Sequence, residues 1–265
     1  MAKIYPSAAA FALGEMIITE YSSGCLRSVL WQSWGAPRGD IPEEYKKRGQ
    51  AHEAYYARSL KSPLFGPEIE VKGELDGVPY SGRADFITMY REQFVVHECK
   101  STDSKGGTKK KAIDGGKPKL NHLAQLAFYM RHFETDKAIL DYGAYDPVDV
   151  GKGVVLYKLT DGRKYKITIN AHGGILADGQ GTGYTIQDQL AHTKLVARTL
   201  KEERVPDRPY IESKWNSPCR FCDYADLCVH HDKEGINSKE EMLDVLTKQG
   251  VIPCKPASTQ KLKKK

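Results

Sequence analysis

A chain of 265 residues is long for one simple domain and short for two full ones, so one elaborated domain over residues 1–254 is expected. Apolar residues make up 40% and charged residues 28%, with 15 Tyr and 3 Trp, which is enough to build a core and excludes a disordered body. No apolar run reaches about 18 residues, which excludes a membrane-spanning helix. The short stretch Ala8–Leu13, with only Lys3 nearby, is too weak for a signal peptide, so a cytoplasmic protein is expected.

The formal net charge is +6, but five of the lysines fall in the last eleven residues, 255–265, which read as a solvated, disordered tail. A second concentration is internal: residues 100–120 carry seven Lys against two Asp. Gly-rich and next to a strand, this segment reads as a basic loop beside a site.

In chain order, residues 6–34 read as helical with a break at Ser22-Ser23-Gly24. Pro42 to Leu60 is a stronger helix, with Pro at its start and Glu43 and Glu44 in the first turn. The period then changes to two. Residues 68–75 and 78–87 flank the turn Asp76-Gly77, and residues 93–100 form a third strand, which predicts an antiparallel or mixed meander. After the basic segment, residues 121–133 return to helical spacing, with Leu123, Leu126, Ala127 and Met130 facing inward. Residues 154–160 and 163–170 flank Asp161-Gly162 and predict a hairpin, and residues 184–205 predict a long amphipathic helix. The order of elements implies an α/β fold of mixed α+β character, a central mixed sheet flanked by helices.

Chemistry concentrates in two places. Side chains alternate along a strand, so Glu98 and Lys100 share a face while His97 and Cys99 take the other. A short turn near residues 89–92 brings Asp85 beside Glu98. Two carboxylates and one ammonium then converge, a donor set that suits Mg²⁺ with water and phosphate completing its shell. Glu-x-Lys alone is a common ion pair; Asp85 at hairpin distance and the attached basic segment raise its significance. His52, mid-helix in Gly49-Gln50-Ala51-His52, is by itself an ordinary structural histidine. Gln125 and Tyr129 lie one turn apart on one helix face.

The second place is Cys219-x2-Cys222-x5-Cys228. Three thiols in ten residues, without an export signal, point to a metal rather than to disulfides. His230 or His231 as fourth ligand would suit tetrahedral zinc, and a distant cysteine, best Cys25, would suit a cubane cluster. Cys99 reads as core and Cys254 as a free thiol.

Taken together, Cys25, Gly49-x-x-His52, Gly82-x-x-Asp85, Glu98-x-Lys100, Gln125-x-x-x-Tyr129 and the three clustered cysteines resemble the iron–sulfur branch of the RecB-type PD-(D/E)XK nucleases. That branch includes CRISPR-adaptation exonucleases and the nuclease domain of AddB-type helicase–nucleases. The resemblance implies a PD-(D/E)XK core and a metal-dependent DNA exonuclease acting on single strands or duplex ends, with a 5′-to-3′ preference. It implies that Asp85, Glu98 and the main-chain carbonyl of Cys99 hold Mg²⁺ or Mn²⁺, with His52 as ligand or flank, and that Lys100 positions the attacking water. Gln125 and Tyr129 would meet the DNA near the scissile phosphate. Cys25, Cys219, Cys222 and Cys228 would hold a structural 4Fe–4S cluster that joins the N- and C-terminal segments. Lys105, Lys109, Lys110 and Lys111 would then contact the DNA backbone. The family's roles place it in DNA recombination, end processing or CRISPR-type adaptation, with a phage or mobile element as a source.

Two features depart from the pattern: Ala84 stands where a Pro often precedes the acid, and no G-x4-G-K-[ST] motor sequence exists, so any helicase or recombination partner would act in trans. The competing readings are a zinc-containing nucleic-acid-binding protein without catalysis and a related endonuclease.

Overall fold

The computed structural model describes residues 4–5, 25–37, 39–60, 64–65, 68–105, 108–206 and 224–251. The part of the predicted helical stretch over residues 6–24, the expected ligands Cys219 and Cys222, and the Lys-rich tail lie outside these residues.

The helices are α1 (Leu26–Trp34), α2 (Glu43–Ser59), α3 (Thr108–Asp114), α4 (Leu120–His132), α5 (Ile186–Glu202), α6 (Ala225–Glu234) and α7 (Lys239–Lys248). The strands are β1 (Leu64–Phe65), β2 (Ile69–Leu75), β3 (Val78–Ala84), β4 (Phe86–Tyr90), β5 (Gln93–Asp103), β6 (Lys137–Asp149), β7 (Val155–Ile169), β8 (Gly174–Ala177) and β9 (Gln180–Thr185). Seven strands form one sheet in the order β1-β4-β5-β6-β7-β8-β9; β2 and β3 form a separate ribbon. Among the described strands of this sheet only β5 and β6 run parallel, linked by a crossover through α3 and α4, so the sheet is mixed as expected. Among the described residues no helix is long and apolar enough to cross a membrane.

Helix α4 lays Leu123, Leu126, Ala127 and Met130 on the sheet, where they meet Val96, Leu140, Tyr142 and Tyr165 in the largest core. Its apolar residues recur at three and four, which makes one continuous buried stripe. Helix α5 starts on a capping box, Thr185 with Asp188, two residues later than the sequence predicts. It packs Val196, Ala197 and Leu200 against Leu26 and Val29 of α1. A further core joins the two ends of the chain: Leu30, Trp31 and Trp34 of α1 with Leu227, Met242 and Leu246 of α6 and α7.

Three expectations are corrected. The stretch 78–87 is not one strand: it breaks at Asp85, leaving β3 in the ribbon and β4 in the main sheet. The Asp161-Gly162 pair makes no hairpin. It lies inside β7, where Ala144 pairs with Asp161 and Tyr145 with Leu159, so Thr160 is an extra, bulged residue. Gly162 is needed for close approach, because a Cβ there would lie 3.0 Å from the Tyr142 carbonyl. The real turn falls at Gly151-Lys152-Gly153, all at positive φ. Its long partner β6, and the short β8 and β9, carry no clean alternation and are not read from sequence. The basic segment, finally, is not all loop, since α3 forms within it.

Candidate active site

The break at Asp85 builds the site. Arg83 and Asp85 lie where the chain leaves the ribbon for the main sheet. The Asp85 carbonyl accepts the Glu68 N–H at 3.0 Å, and its Oδ2 accepts the Cys99 N–H at 2.6 Å. The carboxylate is thereby tied to β5 between Glu98 and Lys100. Strand alternation places the Glu98 and Lys100 side chains together, and Lys100 Nζ donates to Glu98 Oε1. Lys100 Nζ also reaches Gln125 Oε1 on α4 at 3.2 Å. Asp85, Glu98, Lys100 and Gln125 thus form one group, drawn from a strand break, a strand and a helix.

The electrostatics are those of a buried acid pair short of positive charge. Burial pushes the Glu98 carboxyl up to about 7, against the pull of Lys100. Burial also raises Asp85, opposed by Lys100 and by the Cys99 N–H. Burial alone would depress Lys100, but Glu98 and Asp85 outweigh it and hold its ammonium above the usual lysine value. Glu98 Oε2 is buried without a hydrogen-bond partner. An orphaned carboxylate oxygen beside a second buried carboxylate fits a divalent cation, which would satisfy both.

The structure also adds a residue that sequence reasoning misses. Glu53, next to His52 on α2, is half-buried, and its carboxyl is raised by burial and then by the Asp85 charge. Only its position after the Gly-x-x-His motif marks it in sequence, and an acid on a charged helix carries no signal by itself.

Other expected residues sit differently. His52 lies on the Cys99 face of the sheet. Its Nδ1 pairs with the Tyr145 hydroxyl at 2.9 Å and its Nε2 lies 3.2 Å from Asp141 Oδ2, so both nitrogens are engaged away from Glu98. Among the described residues no group of three His, Cys, Asp or Glu side chains gathers as a cation site. The Asp85 charge acts on Glu98 and raises it further, so these two carboxylates are electrostatically coupled. Gly143 makes room for His52, since a Cβ there would lie 2.6 Å from Nδ1. Gly143→Ala is therefore expected to destabilise the fold by about 1–3 kcal/mol, read from urea unfolding midpoints. Tyr129 is buried rather than turned to substrate, and its hydroxyl donates to the Arg83 carbonyl at 2.6 Å, bracing the segment that carries Asp85.

The four lysines of the basic segment separate. Lys105 and Lys111 are exposed. Lys110 is ion-paired with Asp114 and with Asp161 at 2.9 Å. Lys109 turns inward, its Nζ donating to the Ser101 carbonyl at 2.9 Å, and burial with the nearby Lys100, Lys119 and Arg48 charges lowers it to about 8.

Where the N- and C-terminal helices meet, Cys25 and Cys228 are buried, and Trp31 Nε1 donates to Cys228 Sγ at 3.5 Å. Their expected partners Cys219 and Cys222 lie outside the described residues.

No curated protein matches the chain. Among solved structures it is similar to an alkaline exonuclease, LHK-Exo, from Laribacter hongkongensis (13% identity, TM-score 0.46, 76% of this chain and 89% of that one). It is similar also to a phage related exonuclease from Haemophilus somnus 129PT (14% identity, TM-score 0.47, 76% of this chain and 96% of that one). The family model for the PD-(D/E)XK nuclease superfamily matches residues 20–229, so the chain is a nuclease belonging to that superfamily, whose enzymes use divalent metals such as Mg²⁺ or Mn²⁺.

Proposed function

We propose that the chain is a divalent-metal-dependent DNA exonuclease whose site is Asp85, Glu98 and Lys100, within a unit spanning residues 1–254. The observation that carries the reading is the orphaned, buried Oε2 of Glu98 beside the Asp85 carboxylate. Asp85 and Glu98, with the Cys99 carbonyl, would hold Mg²⁺ or Mn²⁺; the bound ion would supply a hydroxide near neutral pH and offset charge on the phosphate. Lys100, held between Glu98 and Gln125, keeps its ammonium charged and aimed into the group, where it can orient the attacking water and meet developing negative charge. Gln125 positions Lys100. Tyr129 fixes the segment bearing Asp85, and Glu53 adds a carboxylate at the rim. Action on strand ends, with single-strand and 5′-to-3′ preference, is drawn from the family resemblance.

End-labelled linear DNA and closed circles incubated with Mn²⁺ test the reading. Degradation of the linear form with intact circles is the expected result. Cut circles would instead make the chain an endonuclease, and no cleavage of either would remove the nuclease site.

For the cysteines, the reading is a structural 4Fe–4S cluster on Cys25, Cys219, Cys222 and Cys228. Both described cysteines are buried, and an indole N–H faces Cys228, as suits a thiolate. One observation favours zinc instead. His231 Nδ1 lies 2.7 Å from the Ile236 carbonyl and must donate to it, which leaves Nε2 with its lone pair. Anaerobic purification decides: yellow-brown protein containing iron supports the cluster, and colourless protein with one zinc supports the alternative.

A further inference from the structure

The segment that carries Asp85 also carries an exposed arginine two residues earlier. Arg83 lies opposite Glu70 in the ribbon ladder, but Glu70 is paired with Lys72 at 2.6 Å. The Arg83 guanidinium leans the other way, toward the base of the ribbon, where its Nη1 donates to Glu68 Oε2 at 2.7 Å. Glu68 in turn adjoins the site. Its N–H donates to the Asp85 carbonyl at 3.0 Å, and its charge raises the carboxyls of Asp85 and Glu53. Arg83 is thus a cation on the ribbon side of Asp85, as Lys100 is on the side of α4.

Three features distinguish this ion pair from the others on the ribbon. Glu68 stands at φ 55°, in the left-handed region that Gly or Asn occupies most readily, so the backbone there does not call for a glutamate. Both side chains are open to water, 64% exposed for Arg83 and 59% for Glu68, and an ion pair so exposed contributes little to stability. Only Nη1 of the guanidinium is engaged: among the described residues Nε and Nη2 make no hydrogen bond, which leaves half of the planar fork for another oxygen. The backbone beneath is fixed, because the Tyr129 hydroxyl holds the Arg83 carbonyl at 2.6 Å.

We propose that Arg83 is a substrate-binding residue that grips a phosphodiester on the ribbon side of the scissile one, and that Glu68 is its resting counter-ion, displaced by that phosphate. A phosphate offers the fork two oxygens where Glu68 supplies one, so the exchange favours substrate. Lys100 then meets the scissile phosphate and Arg83 its neighbour, which holds the strand on both sides of Asp85. The inference rests on the nuclease reading and adds to it a residue that sets where the strand lies.

The test uses the full chain and a fluorescent strand of about twenty nucleotides, with binding read by anisotropy in Ca²⁺ and cleavage read in Mn²⁺. Arg83→Gln is expected to weaken binding and raise KM about tenfold, the order of one charged hydrogen bond. Its kcat should stay within about twofold, because the contact is the same in ground and transition states. The slope of log affinity against log salt should fall by about 0.7, the value for one phosphate contact on a single strand. Arg83→Lys should recover part of the affinity, since the charge stays and the fork is lost. Glu68→Gln should tighten binding about threefold, the scale of an exposed ion pair. Opposite signs from the two members of the pair cannot come from misfolding. Lys72→Gln removes the same charge from the same ribbon and should leave affinity unchanged. Wild-type affinity in Arg83→Gln overturns the proposal, and so does equal weakening by Lys72→Gln, which would mean diffuse charge. Weaker binding by Glu68→Gln overturns it too, as does a fall in kcat at constant KM in Arg83→Gln, which would make Arg83 a brace for Asp85. Absence of wild-type cleavage in Mn²⁺ removes the catalytic reading, whereas the binding outcomes judge Arg83.

Discussion

Glu98→Gln is expected to lower the cleavage rate about a thousandfold at saturating Mn²⁺, the order that follows from losing several kcal/mol of metal-derived stabilisation. The side chain is 1% exposed, with one oxygen against Lys100 and the other unsatisfied. An amide keeps the shape and loses the charge that holds a cation. The pH dependence has a defined sign. The carboxyl is raised from 4.5 to about 7, chiefly by burial, and it must be ionised to bind metal. Apparent Mn²⁺ affinity in the wild type should therefore fall as the pH drops through about 7, approaching tenfold per unit if one proton is displaced per ion. A raised carboxyl also means that the metal-free fold loses this group's contribution to stability as the pH rises from 4.5 to about 7, because the unfolded chain ionises first. Bound metal reverses that loss. The thermal shift on adding Mn²⁺ should thus widen with rising pH in the wild type and vanish in Glu98→Gln. A variant that keeps both its cleavage rate and its metal-induced shift would place the ion elsewhere.

Trp31→Ala carries the largest expected effect on folding, about 3–5 kcal/mol. That is a large share of the ~5–15 kcal/mol that holds a domain together. Trp31 is fully buried, packs edge-on against Trp34 at 5.3 Å, and donates to Cys228 Sγ. It sits where α1 meets α6, beside Arg27, which reaches the Pro206 carbonyl at 2.6 Å and Asp232 at 2.7 Å. Losing the indole opens a cavity in the layer that joins the chain ends. It should also release whatever metal the cysteines hold, seen as lost iron or zinc in the purified variant. Trp31→Phe keeps most of the buried area and gives up mainly the N–H···S contact, so about 1 kcal/mol is expected. Urea unfolding measures both. A wild-type midpoint for Trp31→Ala would mean that the joined ends contribute nothing to stability.

The legible part of this protein is what local pattern can encode. Period-two alternation places Glu98 and Lys100 on one face of β5, and helical spacing picks out the buried stripe of α4. Pro42 with its two glutamates marks the start of α2. The order of the motifs along the chain points to the nuclease superfamily to which it belongs. What only the tertiary structure decides is which segments meet. The same Asp-Gly that makes a hairpin turn at Asp76-Gly77 runs as paired strand at Asp161-Gly162, next to the bulge at Thr160, because a distant strand, β6, pairs across it. Tyr129 is as polar-edged in sequence as Gln125, yet its hydroxyl donates to the carbonyl of Arg83, brought from 46 residues away, while the Gln125 carbonyl oxygen meets Lys100. Glu53 becomes part of the site through the fold of Asp85 toward α2, not through its own neighbours. Periodicity reports how a residue sits relative to the next few along the chain. Desolvation and Coulomb interaction depend on distances in space, and these are set by long-range pairing that no local window contains.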